Sequence, residues 1–230
     1  MIFKKALIPG ILLKRYKRFL ADIRLTDGRK VTAHCPNTGG MLGCSKPESR
    51  VFLSQHPPSK RKYPYTWELV RVGKTWVGVN TFLTNRLVEE GIHAGKISAL
   101  RGYSDVRREA PVMDSRLDFL LSNGANLCYL EVKNVTLGEK NVSYFPDAVT
   151  ERGTKHLRTL QKLKEKGNRA VICFVVQRED CRMFMPADHI DPIYGKSLRE
   201  AHQKGVEILV CGTKVSPKEI KINGTLPFRL

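Results

Sequence analysis

Asp118, Glu131 and Lys133 are the residues of this chain whose types and spacing could do chemistry. Asp118 lies in Ser115-Arg116-Leu117-Asp118-Phe119-Leu120-Leu121. Glu131 and Lys133 lie in Cys128-Tyr129-Leu130-Glu131-Val132-Lys133-Asn134-Val135, after the turn Ser122-Asn123-Gly124-Ala125-Asn126. Side chains alternate between the two faces of a strand. Leu117, Phe119 and Leu121 should therefore share one face, with Arg116 and Asp118 on the other. In the second stretch Cys128, Leu130 and Val132 oppose Glu131 and Lys133. Pairing as a hairpin would gather Asp118, Glu131 and Lys133 on one polar patch beside an apolar sheet. Two carboxylates so placed suit Mg²⁺ or Mn²⁺, hard cations that prefer oxygen ligands. A lysine one pleat beyond can orient a water or neutralise charge developing on a phosphate. The same residues also suit an exposed, salt-bridged hairpin face with no chemistry.

Helices must flank such a hairpin. Asn80-Thr81 can cap one running through Glu90, with a stop expected at Gly91. Counted from Leu83, Leu87 and Glu90 fall on one face. Glu90 thus stands beside the apolar stripe, where an unpaired carboxylate would be costly, or is a helix-end acid reaching solvent; Glu89 points away. A second helix is expected near 150–166, with Leu157 and Leu160 buried and Arg152, Lys155, Lys162 and Lys166 roughly opposite. That basic stripe could touch phosphate or be an ordinary solvated face. His156 lies towards the leucine side and reads as a packing residue. Strands at 169–176 and 206–213 and a helix near 191–204 complete a mixed α/β domain over residues 80–230.

Residues 1–79 have a different texture. Short strands are expected at 18–25, ending at the hairpin signal Asp27-Gly28, and at 29–35, 50–54, 66–72 and 75–79. Several short strands punctuated by Gly and Pro suit an OB-like barrel. This third holds 16 basic and 4 acidic side chains, net +12 of the chain's +18 over 230 residues. Such concentration implies a polyanion, nucleic acid first and an anionic membrane surface second. The candidate contacts are Arg15, Lys17 and Arg18 around Tyr16, and Lys60, Arg61 and Lys62 before Tyr63, joined by Arg152 and Lys155 from the later helix. An RNA-binding module follows from the same barrel. The loop from Cys35 to Cys44 could offer backbone N–H groups as a phosphate nest, supply Asn37 to the second domain's site, or simply connect strands. His34, Cys35 and Cys44 lack a fourth ligand for zinc.

Composition excludes other classes. Hydrophobic residues make up 41% and charged ones 27%, a globular balance. The longest apolar stretch, Ala6 to Leu13, is broken by Pro9-Gly10 and falls short of the roughly 20 residues of a membrane span. Lys14, Arg15, Lys17 and Arg18 follow that stretch, where an export signal needs small residues. The six cysteines are scattered without a CxxC pair, so a reducing, cytoplasmic location is expected, with no membrane partner.

The order Asp118, Glu131-x-Lys133 resembles the PD-(D/E)xK nuclease-like superfamily, with Leu117 in place of the leading proline. That resemblance implies a further acid from the preceding helix, which is Glu90 here. Over nearly its whole length the chain also resembles the sugar fermentation stimulation protein A family. The matching segments are His34 to Met41, Lys60 to Pro64, Asn80-Thr81 with Asn85-Arg86, Ser115 to Phe119, Glu131 to Leu137, Phe145 to Ala148, and Arg152-Gly153 with Lys155-His156-Leu157. This second resemblance implies an OB-like domain joined to a PD-(D/E)xK nuclease-like domain, non-specific DNA binding, and regulation of sugar (maltose) utilisation. In an enzymatic version Asp118 and Glu131 bind the metal, Glu90 assists and Lys133 positions water. In a binding-only version the same pocket grips a DNA backbone.

The charge distribution makes one prediction. Neutralising several phosphates releases counterions, so DNA affinity should fall by orders of magnitude between roughly 50 and 200 mM salt. Changing Lys60, Arg61 and Lys62 together to Ala should flatten that slope in a binding titration. A salt-independent affinity would contradict the electrostatic reading.

Overall fold

The computed structural model describes residues 1–57 and 61–230. Its first part is built from β1 (Ile8–Tyr16), β2 (Leu20–Leu25), β3 (Lys30–His34), β4 (Arg50–Gln55), β5 (Tyr65–Val72) and β6 (Thr75–Gly78). β1 pairs antiparallel with β2 and β4, β2 with β3, and β5 with β4 and β6. Parallel pairing of Ala33 with Tyr65 and His34 with Thr66 joins β3 to β5. That contact closes the first five strands into a barrel around Leu12, Ile23, Val51, Leu53 and Trp67. The Trp67 indole N–H donates to the Leu69 carbonyl at 2.9 Å, so its polar edge is satisfied inside the core.

β1 is absent from the sequence reading because Pro9-Gly10 looked like a break. Pro9 lies opposite Phe52 on β4, yet pairing with β2 begins only at Gly10. The ring therefore sits where the strand has a neighbour on one side, a setting that tolerates proline. Residues ahead of β1 leave the barrel: Ile2 bridges Glu219, and Phe3 N–H donates to the Lys218 carbonyl at 3.1 Å.

The second part contains α1 (Thr84–His93), β7 (Asp105–Val112), β8 (Ser115–Asn123), β9 (Asn126–Val135), β10 (Leu137–Glu139), β11 (Val142–Phe145), α2 (Glu151–Glu165), β12 (Arg169–Val176), β13 (Met183–Pro186), α3 (Pro192–Gln203), β14 (Glu207–Val215) and β15 (Ile220–Thr225). A six-stranded mixed sheet runs β15-β14-β12-β9-β8-β7, and β10, β11 and β13 form a smaller one. The parallel strands β9, β12 and β14 lie at the centre, where both faces are covered. On one face Val88 and Ile92 of α1 meet Phe119, Leu130 and Cys173. On the other, Leu157 and Leu160 of α2 and Leu198 of α3 meet Ile172, Phe174 and Val210. β7 escaped notice in the sequence because it is an edge strand whose residues are mostly exposed and charged, a common protection against edge pairing.

The expected helix stop at Gly91 is corrected by the structure. α1 continues to His93 and closes at Gly95, whose φ of 62° allows Gly95 N–H to reach the Ile92 carbonyl at 2.9 Å and Lys96 N–H the Gly91 carbonyl at 2.8 Å. Gly91 is instead a contact point. A Cβ there would stand 3.0 Å from Ile222 and 3.1 Å from Ile97, so its hydrogen lets α1 approach β15. All six cysteines are buried thiols. Among the described residues no helix is long and apolar enough to cross a membrane.

Gly91→Val should overpack this contact at a cost of about 1–3 kcal/mol. A thermal melt should show a Tm at least about 2 °C lower for a chain of this size. An unchanged Tm would refute the close-approach reading.

Candidate functional site

The site begins where two ladders lapse together. The β8–β9 pairing ends at Phe119 opposite Leu130, so Asp118 and Glu131 are the next residues and share a face. On the other flank Arg108 pairs with Phe119 and Ala110 with Leu117, but Glu109, with a φ of 55°, leaves Asp118 without a partner. The Asp118 side chain takes over. Its Oδ2 accepts Val132 N–H at 2.8 Å and its Oδ1 accepts the Asn85 amide at 2.7 Å. Simple alternation fails at this gap: Leu117 joins the core beneath α2, whereas Phe119 and Leu121 join the core beneath α1.

Asn85 is delivered by the first turn of α1. A 3-10 turn, Thr81–Leu83, leads into that helix and is started by Asn80, whose side chain accepts Phe82 N–H. α2 starts from Thr150, whose hydroxyl accepts Gly153 N–H at 3.1 Å, and it brings His156 to the sheet.

Glu131 is only 3% exposed. Its Oε1 accepts Lys133 Nζ at 2.6 Å and also the Nδ1 of His156. Lys133 Nζ lies 3.4 Å from that same nitrogen. Burial acts to raise the Glu131 carboxyl, but Lys133 and His156 outweigh it and hold the group below its ordinary value of 4.5. Asp118 goes the other way. Burial and then the Glu131 charge push its carboxyl up, only partly offset by Val132, Asn85 and Lys133. The second oxygen of Glu131 is buried with no hydrogen-bond partner among the described residues.

These groups floor a cleft of about 510 Å³ between barrel and sheet, whose wall includes Arg18, Asn37, Phe82, Asp147, Val149 and Arg152. The barrel's share is a folded-over loop. Arg15 donates to the carbonyls of Arg18, Asn37 and Gly39 at 2.8–3.0 Å, and Arg18 to that of Thr38 at 2.8 Å. Met41 N–H donates to Asp147 Oδ2 at 2.8 Å, and Thr81 Oγ1 to the Pro36 carbonyl at 2.8 Å. Asn37 does reach the cleft, but its Oδ1 accepts Gly39 N–H at 2.8 Å. Two N–H groups that a phosphate nest would use are therefore already taken.

Asp118, Glu131 and Lys133 come together as the spacing implied. Glu90 does not join them. It sits in the last turn of α1, bonded to Arg86 at 2.9 Å and to the Met1 amino group at 2.8 Å, while the first turn faces the cleft. No cluster of three or more His, Cys, Asp or Glu in a metal-holding arrangement exists among the described residues, so the expected three-acid set is corrected to two carboxylates. Of the expected DNA contacts, Arg18 and Arg152 line the cleft. Arg15 is committed to carbonyls, and Lys155 is tied to Asp114 at 2.8 Å. Lys17, Arg61 and Lys62 are exposed outside the cleft wall, and Lys60 lies outside the described residues. His156, read from the sequence as packing, is the residue that reading undervalued. A titratable side chain on the apolar side of an amphipathic helix was the available signal.

A family model described as the sugar fermentation stimulation protein RE domain matches residues 82–219, and one described as the SfsA N-terminal OB domain matches residues 13–79. The chain belongs to the sugar fermentation stimulation protein family. The SfsA domain models meet where Asn80 and the 3-10 turn lead from barrel to α1. A sugar fermentation stimulation protein homolog of Thioalkalivibrio sulfidiphilus is 52% identical over 233 residues, covering 100% of this chain and 98% of that protein. One from Citrifermentans bemidjiense is 52% identical over 231 residues and covers 100% of both. The solved structure of Pyrococcus furiosus SfsA in complex with Ca²⁺ superposes with a TM-score of 0.93 at 28% identity, covering 100% of this chain and 98% of that one. The OB barrel and mixed α/β domain are thus those of the SfsA family.

The charge balance at Glu131 has a measurable consequence. A carboxyl held below its unfolded value stabilises the native state above that value, and the stabilisation is lost as pH falls through the native one. In EDTA near pH 7, Glu131→Gln should leave the largely buried Lys133 ammonium without a counter-charge and cost about 3 kcal/mol or more. That is a Tm drop of about 6 °C or more. The gap from wild type should close as pH falls below 4.5. A gap that widens in acid would reverse the sign assigned here.

Proposed function

We propose that this protein grips the sugar-phosphate backbone of DNA without sequence preference and hydrolyses a phosphodiester with a divalent cation, Mg²⁺ or Mn²⁺, held by Asp118 and Glu131. The observation that carries the reading is the pair of carboxylates from adjacent strands, with Lys133 bonded to Glu131 and Arg18 and Arg152 lining the same cleft. The donor set fits such an ion. Glu131 has a buried oxygen without a partner, and the Asp118 carboxyl is pushed up by burial and by its charged neighbour. A cation would relieve both. One or two carboxylates, with phosphate and water completing the shell, is a usual arrangement for Mg²⁺. The Ca²⁺ of the Pyrococcus furiosus relative, another hard cation that prefers oxygen, supports the choice.

Bound there, the cation would supply Lewis-acid charge to the phosphate. The chain's own residues do the rest. Asn85 and the Val132 N–H orient Asp118, leaving its charge aimed at the cleft. Lys133, shared between Glu131 and the open side of the cleft, holds an ammonium where it can orient the attacking water and stabilise charge that grows in the transition state. His156 keeps Glu131 ionised. Arg18 and Arg152 hold flanking phosphates and thereby fix the register of the strand on the cleft.

The test is a cleavage assay over single-stranded, duplex and branched DNA with Mg²⁺ or Mn²⁺. Asp118→Asn and Lys133→Met should each abolish cleavage. Lys133→Met should leave affinity measured in EDTA within about three-fold, since one phosphate contact is a small part of a many-cation interface. Wild-type protein that binds DNA and cleaves no form of it would reduce the function to binding, with regulation as its output.

A further inference from the structure

We infer that the cleft receives a nucleotide whose base is unstacked, with Phe82 as the platform for that base, so that the preferred ligand is a single-stranded or locally unpaired DNA strand rather than intact duplex. The inference rests on the nucleic-acid reading above and names the substrate class of the same site.

Phe82 is the starting observation. It lines the cleft yet is 72% exposed, a large apolar ring left in water beside charged and amide side chains. Its inner side is supported. The His34 ring lies near-parallel to it, with centroids 6.0 Å apart and planes at 23°, within the range of an offset aromatic stack. Burial and the nearby Arg61 guanidinium hold the His34 imidazole below its ordinary value of 6.5, so the supporting ring is uncharged near neutral pH.

The platform is also held still. Phe82 N–H donates to Asn80 Oδ1 at 3.1 Å, Leu83 N–H to the Asn80 carbonyl at 3.2 Å, and Thr81 Oγ1 to the Pro36 carbonyl at 2.8 Å. A ring fixed before binding loses little freedom when a base lands on it. The same short segment carries Asn85, which holds Asp118, so the platform and the carboxylate pair are tied to one piece of backbone. Val149, which also lines the cleft, is 71% exposed and offers a second apolar surface.

Charge identifies the ligand. Arg18 and Arg152 line the cleft with these two apolar residues, and Arg61 lies close enough to His34 to act on its charge. Aromatic faces interleaved with cations match an unpaired strand, because every base has a π-face and every nucleotide a phosphate. In an intact duplex the bases are stacked inside, so using the platform would first require one to be extruded.

Fluorescence anisotropy in EDTA, where nothing is cleaved, tests this independently of the metal. The titrations use labelled oligo-dT, a duplex of equal length and oligo-U. Wild type should bind oligo-dT more tightly than duplex at equal salt. Phe82→Ala and Phe82→Leu, which both lack a π-face, should weaken oligo-dT binding by about 5- to 100-fold while duplex binding changes less than about two-fold. Phe82→Trp should restore affinity, and unchanged melting curves should accompany the exposed-site variants. Equal affinity for single strand and duplex, with no effect of Phe82→Ala, would overturn this inference and leave the parent reading standing. Tighter binding of oligo-U than oligo-dT would overturn the assignment to DNA. Absence of wild-type binding to all three would overturn the inference together with the nucleic-acid reading on which it rests.

Discussion

A carboxylate taken out of water must be matched by charge and hydrogen bonds, and at Glu131 both come from Lys133 and His156. That requirement organises much of the second domain. Lys133 is supplied by the same strand, one pleat on, but His156 must arrive from α2. The helix is aimed by the Thr150 cap, and Asp191 accepts Thr150 N–H at 2.8 Å while also capping α3 through Tyr194 N–H at 2.9 Å. One buried aspartate thus sets the start of both helices on that face. Tyr194 lies fully buried in the same core, its hydroxyl pushed well above its ordinary value by burial and by the nearby Glu131 charge.

The cleft exists because the domains are fastened at several points around it. Gly78 N–H donates to the Gln177 carbonyl at 2.9 Å, and the Gln177 amide reaches the Thr84 hydroxyl at 3.1 Å. Thr84 in turn donates to Asn134 at 2.9 Å, one residue from Lys133. On the other side Asp147 holds the barrel loop through Met41. Arg15 shows the consequence for charge. Its guanidinium is spent on three carbonyls, so it shapes the loop that carries Arg18 instead of standing free for an anion.

Much of this was legible from local pattern. Alternation over 115–121 and 128–135 located the hairpin, because two strands joined by a short turn have few ways to pair, but the break at Asp118 put Leu117 on the opposite face from Phe119 and Leu121. The helices near 150–166 and 191–204 lie at Glu151–Glu165 and Pro192–Gln203, capped by Thr150 and Asp191. β1 and β7 were not legible. One hides a proline at a singly paired position and the other is a charged edge, and both owe their conformation to a neighbouring strand rather than to their own residues.

The sequence by itself determined the barrel and mixed α/β halves, the concentration of positive charge in the first, and the grouping of Asp118, Glu131 and Lys133, since period, composition and short-range spacing are local properties. Only the tertiary structure decided which acids meet. Glu90 satisfied the helical spacing and still points to Arg86 and the N-terminus, because the first turn of α1, not the last, abuts the sheet's open gap. It also turned His156 from packing residue into partner of Glu131 and left Phe82 standing on His34 at the mouth of the cleft. Contacts between residues distant in sequence depend on how whole elements dock, and no local periodicity encodes that.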